Sequence, residues 1–263
     1  MSNVFGVVLL LIAPTIATAQ GDPAADCARG DPQGCLQAGL ALLQSNDLSK
    51  LPGAATYFQS ACDARVPQGC SYLAEQYRAG RGVPIDVSRA ISLYERGCDM
   101  GDGNACSEGG YLRQQGVGSS NDMTRAVALY NRGCDLADGS ACGRLGLLYR
   151  SGQGVILDAT RAVNLLVKGC KGGTFWACEE AAHMYDAGDG VAVDPARAAQ
   201  VYQDGCNLGL PMACFRLGML YLQGHGVPYS PKKAEELYYK ICTPTAGTYC
   251  ASWYDLLLHS PPR

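Results

Sequence analysis

A chain of 263 residues has room for one or two globular domains by length alone. Its net charge of −3, from 21 basic and 24 acidic residues, comes without any Lys/Arg block, which excludes nucleic acid and anionic lipid as main partners, since both demand clustered positive charge. Fourteen cysteines stand out in the composition.

The chain opens with an apolar run, Val7 to Ile12, with Phe5 before it and Pro14 closing it, and then reads Ala17-Thr18-Ala19 before Gln20. A short apolar stretch ending in a small-x-small triplet predicts a signal peptide over residues 1–19, although Met1-Ser2-Asn3 lacks the usual basic residue. A short buried helix is the alternative. The run is too short to span a membrane, and no cysteine follows the cleavage point to carry a lipid anchor. Residues 20–263 are expected to form one domain that is exported, either periplasmic or secreted.

Seven residues separate Cys27 from Cys35, and the same spacing separates Cys62 from Cys70, Cys98 from Cys106, Cys134 from Cys142, Cys170 from Cys178, Cys206 from Cys214 and Cys242 from Cys250. The step between pairs is 35 residues once and 36 residues five times. A fixed period of this size overrides the length argument. It signals a solenoid of about six to seven stacked units, each burying its apolar face on its neighbours. Zinc sites favour cysteines two to four residues apart, and neither Cys-x-x-Cys nor the Cys-x-x-Cys-His of covalent haem occurs. Disulfides in an oxidising compartment are therefore expected, with no metal and no other cofactor.

The first unit is atypical, as a solenoid cap should be: Ser45-Asn46-Asp47-Leu48-Ser49 stands where later units have Gly-x-Gly. In the unit after Cys142, residues Leu145, Gly146 and Tyr149 follow at three, four and seven positions, the spacing of one helix face. Gly152-Gln153-Gly154 then stops that helix. Asp158 sits at the N-cap of a second helix, which runs through Arg161-Ala162 and Leu165-Leu166 to Cys170. The same slots hold Asp86, Asp122, Asp194 and Ser230 as caps, and Arg89, Arg125, Arg197 and Lys233 as the basic residue before an alanine. The tyrosine slot holds Tyr77, Tyr149, Tyr185 and Tyr221 but Arg113 in one unit, whose loop also has Ser119 in place of valine. Each unit reads as an αα-hairpin with antiparallel helices. The first cysteine of a pair ends a second helix and the other begins the next first helix. A bridge from Cys27–Cys35 through Cys242–Cys250 would staple each such turn, worth up to about 2.5 kcal/mol for a nine-residue loop. After Cys250 one more helix, Ala251 to Leu258, precedes Pro261-Pro262.

The pattern Ala-Cys-x-x-Leu-Gly-x-x-Tyr-x-x-Gly-x-Gly-Val…Asp-x-x-Arg-Ala…Leu-Tyr, plain at Ala141 to Leu166 and Ala213 to Tyr238, resembles the Sel1-like repeat, a relative of the tetratricopeptide repeat. With Cys-x7-Cys in each unit it is similar to the cysteine-rich Sel1-like proteins secreted by Helicobacter. The resemblance implies an all-α, right-handed superhelical solenoid with one disulfide per repeat. It implies an adaptor for protein or peptide partners or, as in members described as penicillin-binding or as slow β-lactamases, a β-lactam or peptidoglycan-related ligand.

The catalytic alternative rests on Ser230-Pro231-Lys232-Lys233, the one Ser-x-x-Lys in the chain. A serine β-lactamase uses such a lysine to take the serine proton but needs Ser-Asp-Asn and Lys-Thr-Gly elements as well, and both are absent. Ser230 is also where a helix cap belongs, and Pro231 fits a first helical position. His183, His225 and His259 fall in separate units without metal-ligand spacing. The Gly-x-Gly stretches lie between helices and follow no strand, so they are helix stops and not nucleotide loops. The surface left unspecified by the repeat lies two and five residues after each second cysteine: Tyr72 and Glu75, Glu108 and Tyr111, Arg144 and Leu147, Glu180 and His183, Arg216 and Met219. The resemblance places first helices on a concave face. This mixture suits a peptide groove better than a catalytic pocket, and an ordinary solvated face accounts for it too.

Overall fold

The computed structural model describes residues 22–45, 47–117 and 122–241. The predicted signal peptide, the Cys242–Cys250 pair and the last predicted helix lie outside them. The described residues form a solenoid of α-helices: α1 (Pro23–Ala28), α2 (Pro32–Gln44), a 3-10 turn (Leu48–Lys50), α3 (Leu51–Asp63), α4 (Pro67–Ala79), α5 (Val87–Asp99), α6 (Gly103–Gln115), α7 (Met123–Asp135), α8 (Gly139–Ser151), α9 (Ala159–Lys171), α10 (Phe175–Ala187), α11 (Pro195–Asn207), α12 (Pro211–Gln223) and α13 (Pro231–Ile241). Each helix packs on the next, and helices two apart also touch, as α6 does α8 and α9 does α11. None of the described helices is long and apolar enough to cross a membrane.

The hairpin is fixed by three local devices. First helices α4, α6, α8, α10 and α12 end on a glycine in the left-handed region, φ 66 to 70°. Second helices α5, α7, α9 and α11 begin on an aspartate whose carboxylate accepts the N–H three residues on, at 2.8 to 3.0 Å. The cap residue's own amide donates back to the carbonyl of the tyrosine slot, Asp86 to Tyr77 at 2.9 Å and Asp194 to Tyr185 at 2.8 Å, closing the loop. The second glycine of each Gly-x-Gly serves another purpose. Gly82 (φ +75°) lies against the Leu51–Pro52 backbone at the start of the preceding unit's second helix, where no Cβ would fit.

Six of the seven predicted cysteine pairs fall among the described residues, and all six are bridged as expected. Cys27 is joined to Cys35, Cys62 to Cys70, Cys98 to Cys106, Cys134 to Cys142, Cys170 to Cys178 and Cys206 to Cys214, with Cα–Cα separations of 4.4 to 4.6 Å. One detail differs from expectation. The second cysteine does not open its helix: Cys35, Cys70, Cys106, Cys142, Cys178 and Cys214 are each the fourth residue of theirs. The chain must complete a first helical turn before that side chain swings back towards the end of the preceding helix. Apart from half-buried Cys27, every bridged cysteine is at most 5% exposed. The sulfurs are thus core atoms, packed with many alanines and a few large side chains per unit. Helices approach closely where a glycine faces an aromatic ring, as Gly110 faces Tyr130 and Gly218 faces Tyr238.

The basic residue before each alanine was expected to lie over neighbouring apolar surface. Its partner is more definite, the tyrosine of its own hairpin. Arg89 stacks over Tyr77 at 4.4 Å, Arg161 over Tyr149 at 4.3 Å, Arg197 over Tyr185 at 5.7 Å, and the Lys233 ammonium over Tyr221 at 5.1 Å. The irregular unit shows why this matters. With Arg113 in the tyrosine slot, Arg125 covers no ring among the described residues, and both guanidinium groups converge on Glu95, at 3.0 and 3.2 Å. Burial works against charge on Glu95, but the hydrogen bonds and charges of Arg113 and Arg125 outweigh it and hold the carboxyl below its ordinary range.

A second ladder joins unit to unit. Arg96 pairs with Asp63 at 3.0 Å and Arg132 with Asp99 at 2.9 Å; each also donates to a backbone carbonyl of the preceding helix end. At the equivalent positions farther along, the polarity is reversed: Asp204 meets Lys171 at 3.4 Å. The exchanged charges keep the rung attractive.

Candidate functional site

The ten groove positions lie on the first helices α4, α6, α8, α10 and α12. The face they mark divides into two regions. In the first, most of the side chains are engaged with neighbours. Tyr72 stacks on Phe58, ring centroids 5.2 Å apart. The Glu75 carboxylate accepts from Arg78 at 2.7 and 2.9 Å and from the Tyr94 hydroxyl at 3.2 Å. Across the unit boundary the Arg144 guanidinium covers the Tyr111 ring at 4.3 Å. Glu108 is half-buried nearby, and Leu147 packs against the core of the later units.

In the second region Glu180, His183, Arg216 and Met219 line one open cleft of about 640 Å³. Its other walls are Arg150, Glu179, Asp186, Tyr202, Leu220 and Gln223. Arg150 from α8 donates to Glu180 at 2.6 Å and to Asp189 at 2.7 Å. Arg216 from α12 donates twice to Glu179, at 2.6 and 3.0 Å. The His225 ring meets Asp186 at 3.1 Å. Tyr202, from α11, forms the buried back of the cleft. Burial above all pushes its hydroxyl up to about 12; Arg216 opposes this, while Glu179 and Asp186 add to it. The phenol is therefore protonated at neutral pH.

The residues missed by counting two and five positions had a readable signal. Glu179 lies one residue after its second cysteine, and Arg150 and Asp186 lie eight after theirs. One, five and eight are successive points on the same helical stripe. Tyr202 comes from the other helix of its hairpin, four residues before Cys206, which no stripe on the first helix reveals. A second cavity, of about 620 Å³, opens on the second helices among Asp63, Ser92, Glu95, Arg96, Asp99 and Met100.

Ser230 and Lys233 lie away from this cleft's lining. The Ser230 hydroxyl oxygen accepts the Lys233 N–H at 3.3 Å, the bond that aspartates make in four other units, and the Lys233 ammonium is drawn over Tyr221. Ser230→Ala is expected to cost about 1 kcal/mol of stability through the lost cap and to leave ligand binding unchanged. Thermal denaturation beside a binding titration checks this; a loss of binding at unchanged stability would contradict it. Among the described residues no group of histidines, cysteines and carboxylates has the geometry to hold a metal ion.

The Sel1 repeat family model matches residues 67–102, 104–138, 139–174, 177–210 and 211–243, together more than half of the chain. Among solved structures, the chain is similar to a protective antigen of uropathogenic Escherichia coli strains displaying an SLR fold, at 23% identity and TM-score 0.67 over 90% of this chain and 52% of that one. It spans about half the length of that protein. It is also similar to a Sel1 repeat protein from Oxalobacter formigenes, at 24% identity and TM-score 0.60 over 87% of this chain and 91% of that one. A third likeness, to Helicobacter pylori cysteine rich protein B, has 25% identity and TM-score 0.43 over 51% of this chain and 96% of that one. No curated protein matches the chain significantly.

Proposed function

Because the chain belongs to the Sel1 repeat family, we propose that this disulfide-stapled solenoid is a scaffold that binds a protein or peptide on the face of its first helices. The observation that carries this reading is the gathering of Glu180, His183, Arg216 and Met219, drawn from separate units, into one open cleft of about 640 Å³, the size of an ordinary ligand site. Mixed charged, aromatic and apolar walls suit a peptide, which needs both backbone hydrogen bonds and side-chain pockets. Export to an oxidising compartment belongs to the same reading: it rests on the bridged cysteines and on the apolar leader with its small-x-small ending. Nothing in the Ser230 geometry favours a β-lactam-directed role.

The test is a peptide selected from a displayed library on the oxidised protein. Replacing Glu180, His183 and Met219 together by alanine should weaken its binding at least tenfold while the thermal midpoint stays within a few degrees, since hot spots concentrate in few residues. Unchanged affinity in the triple variant would overturn the assignment of the face.

A further inference from the structure

Each second helix carries a large side chain four residues before the first cysteine of a Cys-x7-Cys pair: Phe58, Tyr94, Tyr130, Leu166, Tyr202 and Tyr238. Two of these tyrosines have internal partners on a first helix. The Tyr94 hydroxyl donates to Glu75 at 3.2 Å and the Tyr130 hydroxyl to Gln114 at 2.8 Å. Tyr202 occupies the same place and is 9% exposed. The residues equivalent to those two acceptors are His183 and Asp186. Among the described residues, however, no hydrogen bond reaches the Tyr202 hydroxyl, and Asp186 is met by the His225 ring instead. The Tyr202 hydroxyl is not sealed from solvent, so in the wall of the open cleft it is a polar group that an incoming ligand can meet.

The surrounding charges indicate which kind. Both arginines of the cleft are already ion-paired, Arg150 by Glu180 and Asp189 and Arg216 by Glu179. An anionic ligand would have to displace those carboxylates. Asp186, by contrast, faces a histidine ring and, among the described residues, pairs with no lysine or arginine. Carboxylates outnumber guanidinium groups here, and Met219 and Leu220 supply apolar wall beside them.

We propose that the cleft takes a lysine or arginine side chain of an extended peptide, its cationic head donating to the Tyr202 hydroxyl oxygen and the Asp186 carboxylate, its methylenes lying on Met219 and Leu220. This rests on the reading of the first-helix face as a peptide groove and adds the chemistry of the occupant. A long basic side chain suits such a wall because its stem is apolar while its head stays polar, and hydrogen bonds to a charged group are the stronger kind.

The experiment uses nine-residue peptides of alanine and serine with a central lysine, arginine, norleucine or glutamate, titrated calorimetrically against the oxidised protein, with hydrogen exchange mapping the protected helices. The lysine and arginine peptides should bind about tenfold or more tighter than the norleucine peptide, as for a charged hydrogen bond, and protect α10 and α12. Asp186→Asn should remove most of that preference, and Tyr202→Phe should reduce it about threefold or more, while Tyr130→Phe, whose hydroxyl has its own partner, leaves it intact. Protection of the first helices with no preference for the central residue would overturn the cationic occupant and leave the groove standing. Preference for glutamate would overturn it in favour of an anion held by Arg150 and Arg216. No protection of the first helices by any peptide would overturn the groove and its occupant together.

Discussion

Reduction of the bridges is expected to abolish cooperative folding. Each described bridge closes a loop of sequence separation 8 between consecutive helices, and cross-linking a loop of this size contributes up to about 2.5 kcal/mol by restricting the unfolded chain. Six of them approach about 15 kcal/mol, as large as the entire stability of an ordinary domain. The units cannot easily replace that sum, because their cores are rich in alanine and the cysteines are themselves core residues. Cutting a bridge therefore removes both a constraint and a packed contact. In circular dichroism the oxidised protein should melt in a sharp transition, and the fully reduced and alkylated chain should lack most of its helical signal at 37 °C. The double variant with Cys134→Ala and Cys142→Ala should lose about 2–4 kcal/mol, the usual range for a single bridge. A reduced chain with native helicity and a midpoint within a few degrees of the oxidised one would refute the stapling account.

Gly82→Ala should be far more damaging than Gly154→Ala, although both glycines hold the same place in their loops and nearly the same φ, +75° and +70°. The shared left-handed backbone costs any side chain about 1–2 kcal/mol. What differs is the neighbour. A methyl group on Gly154 would meet the Met123 Cβ at 3.0 Å and its flexible Cε at 3.3 Å, a crowding that a shift of a few tenths of an ångström relieves. On Gly82 it would meet the Leu51 carbonyl and the Pro52 nitrogen, backbone atoms at the start of α3 that cannot move without shifting the helix. Overpacking of that kind adds about 1–3 kcal/mol. Urea denaturation of the two variants should separate them by at least about 1 kcal/mol on that basis; equal losses would mean that only the backbone angle matters and that units do not interlock through this glycine.

The parts of the molecule most legible in the sequence are those that repeat. The Cys-x7-Cys spacing, the capping aspartates and the Gly-x-Gly stops each recur at a fixed step, and each has a local physical reason that needs no knowledge of distant residues. The bridges, caps and left-handed glycines of the described units occur at those positions. Contacts between helices were harder to read. That Arg161 covers Tyr149 depends on how two helices of a hairpin face each other, and only the break at Arg113, with its recruitment of Glu95, makes the rule visible. The reversed rung Lys171–Asp204 is equally a property of pairs in neighbouring units. The cleft was half legible. Counting along a single helix found Glu180, His183, Arg216 and Met219, but extending the stripe another turn was needed to reach Arg150 and Asp186. Tyr202 became significant only when its hydroxyl could be compared with those of Tyr94 and Tyr130.

The central claim, that ligand is held on the first helices, is tested most directly by site-specific photo-crosslinking. A benzophenone amino acid would be placed at Met219, in the first-helix cleft, or at exposed Ser92, beside the cavity of about 620 Å³ on the second helices. Irradiated with the selected peptide, the protein carrying the probe at Met219 should form a covalent adduct that excess unlabelled peptide suppresses, and the protein carrying it at Ser92 should form none. Adducts at Ser92 with none at Met219 would place the binding surface on the opposite helices and contradict the account.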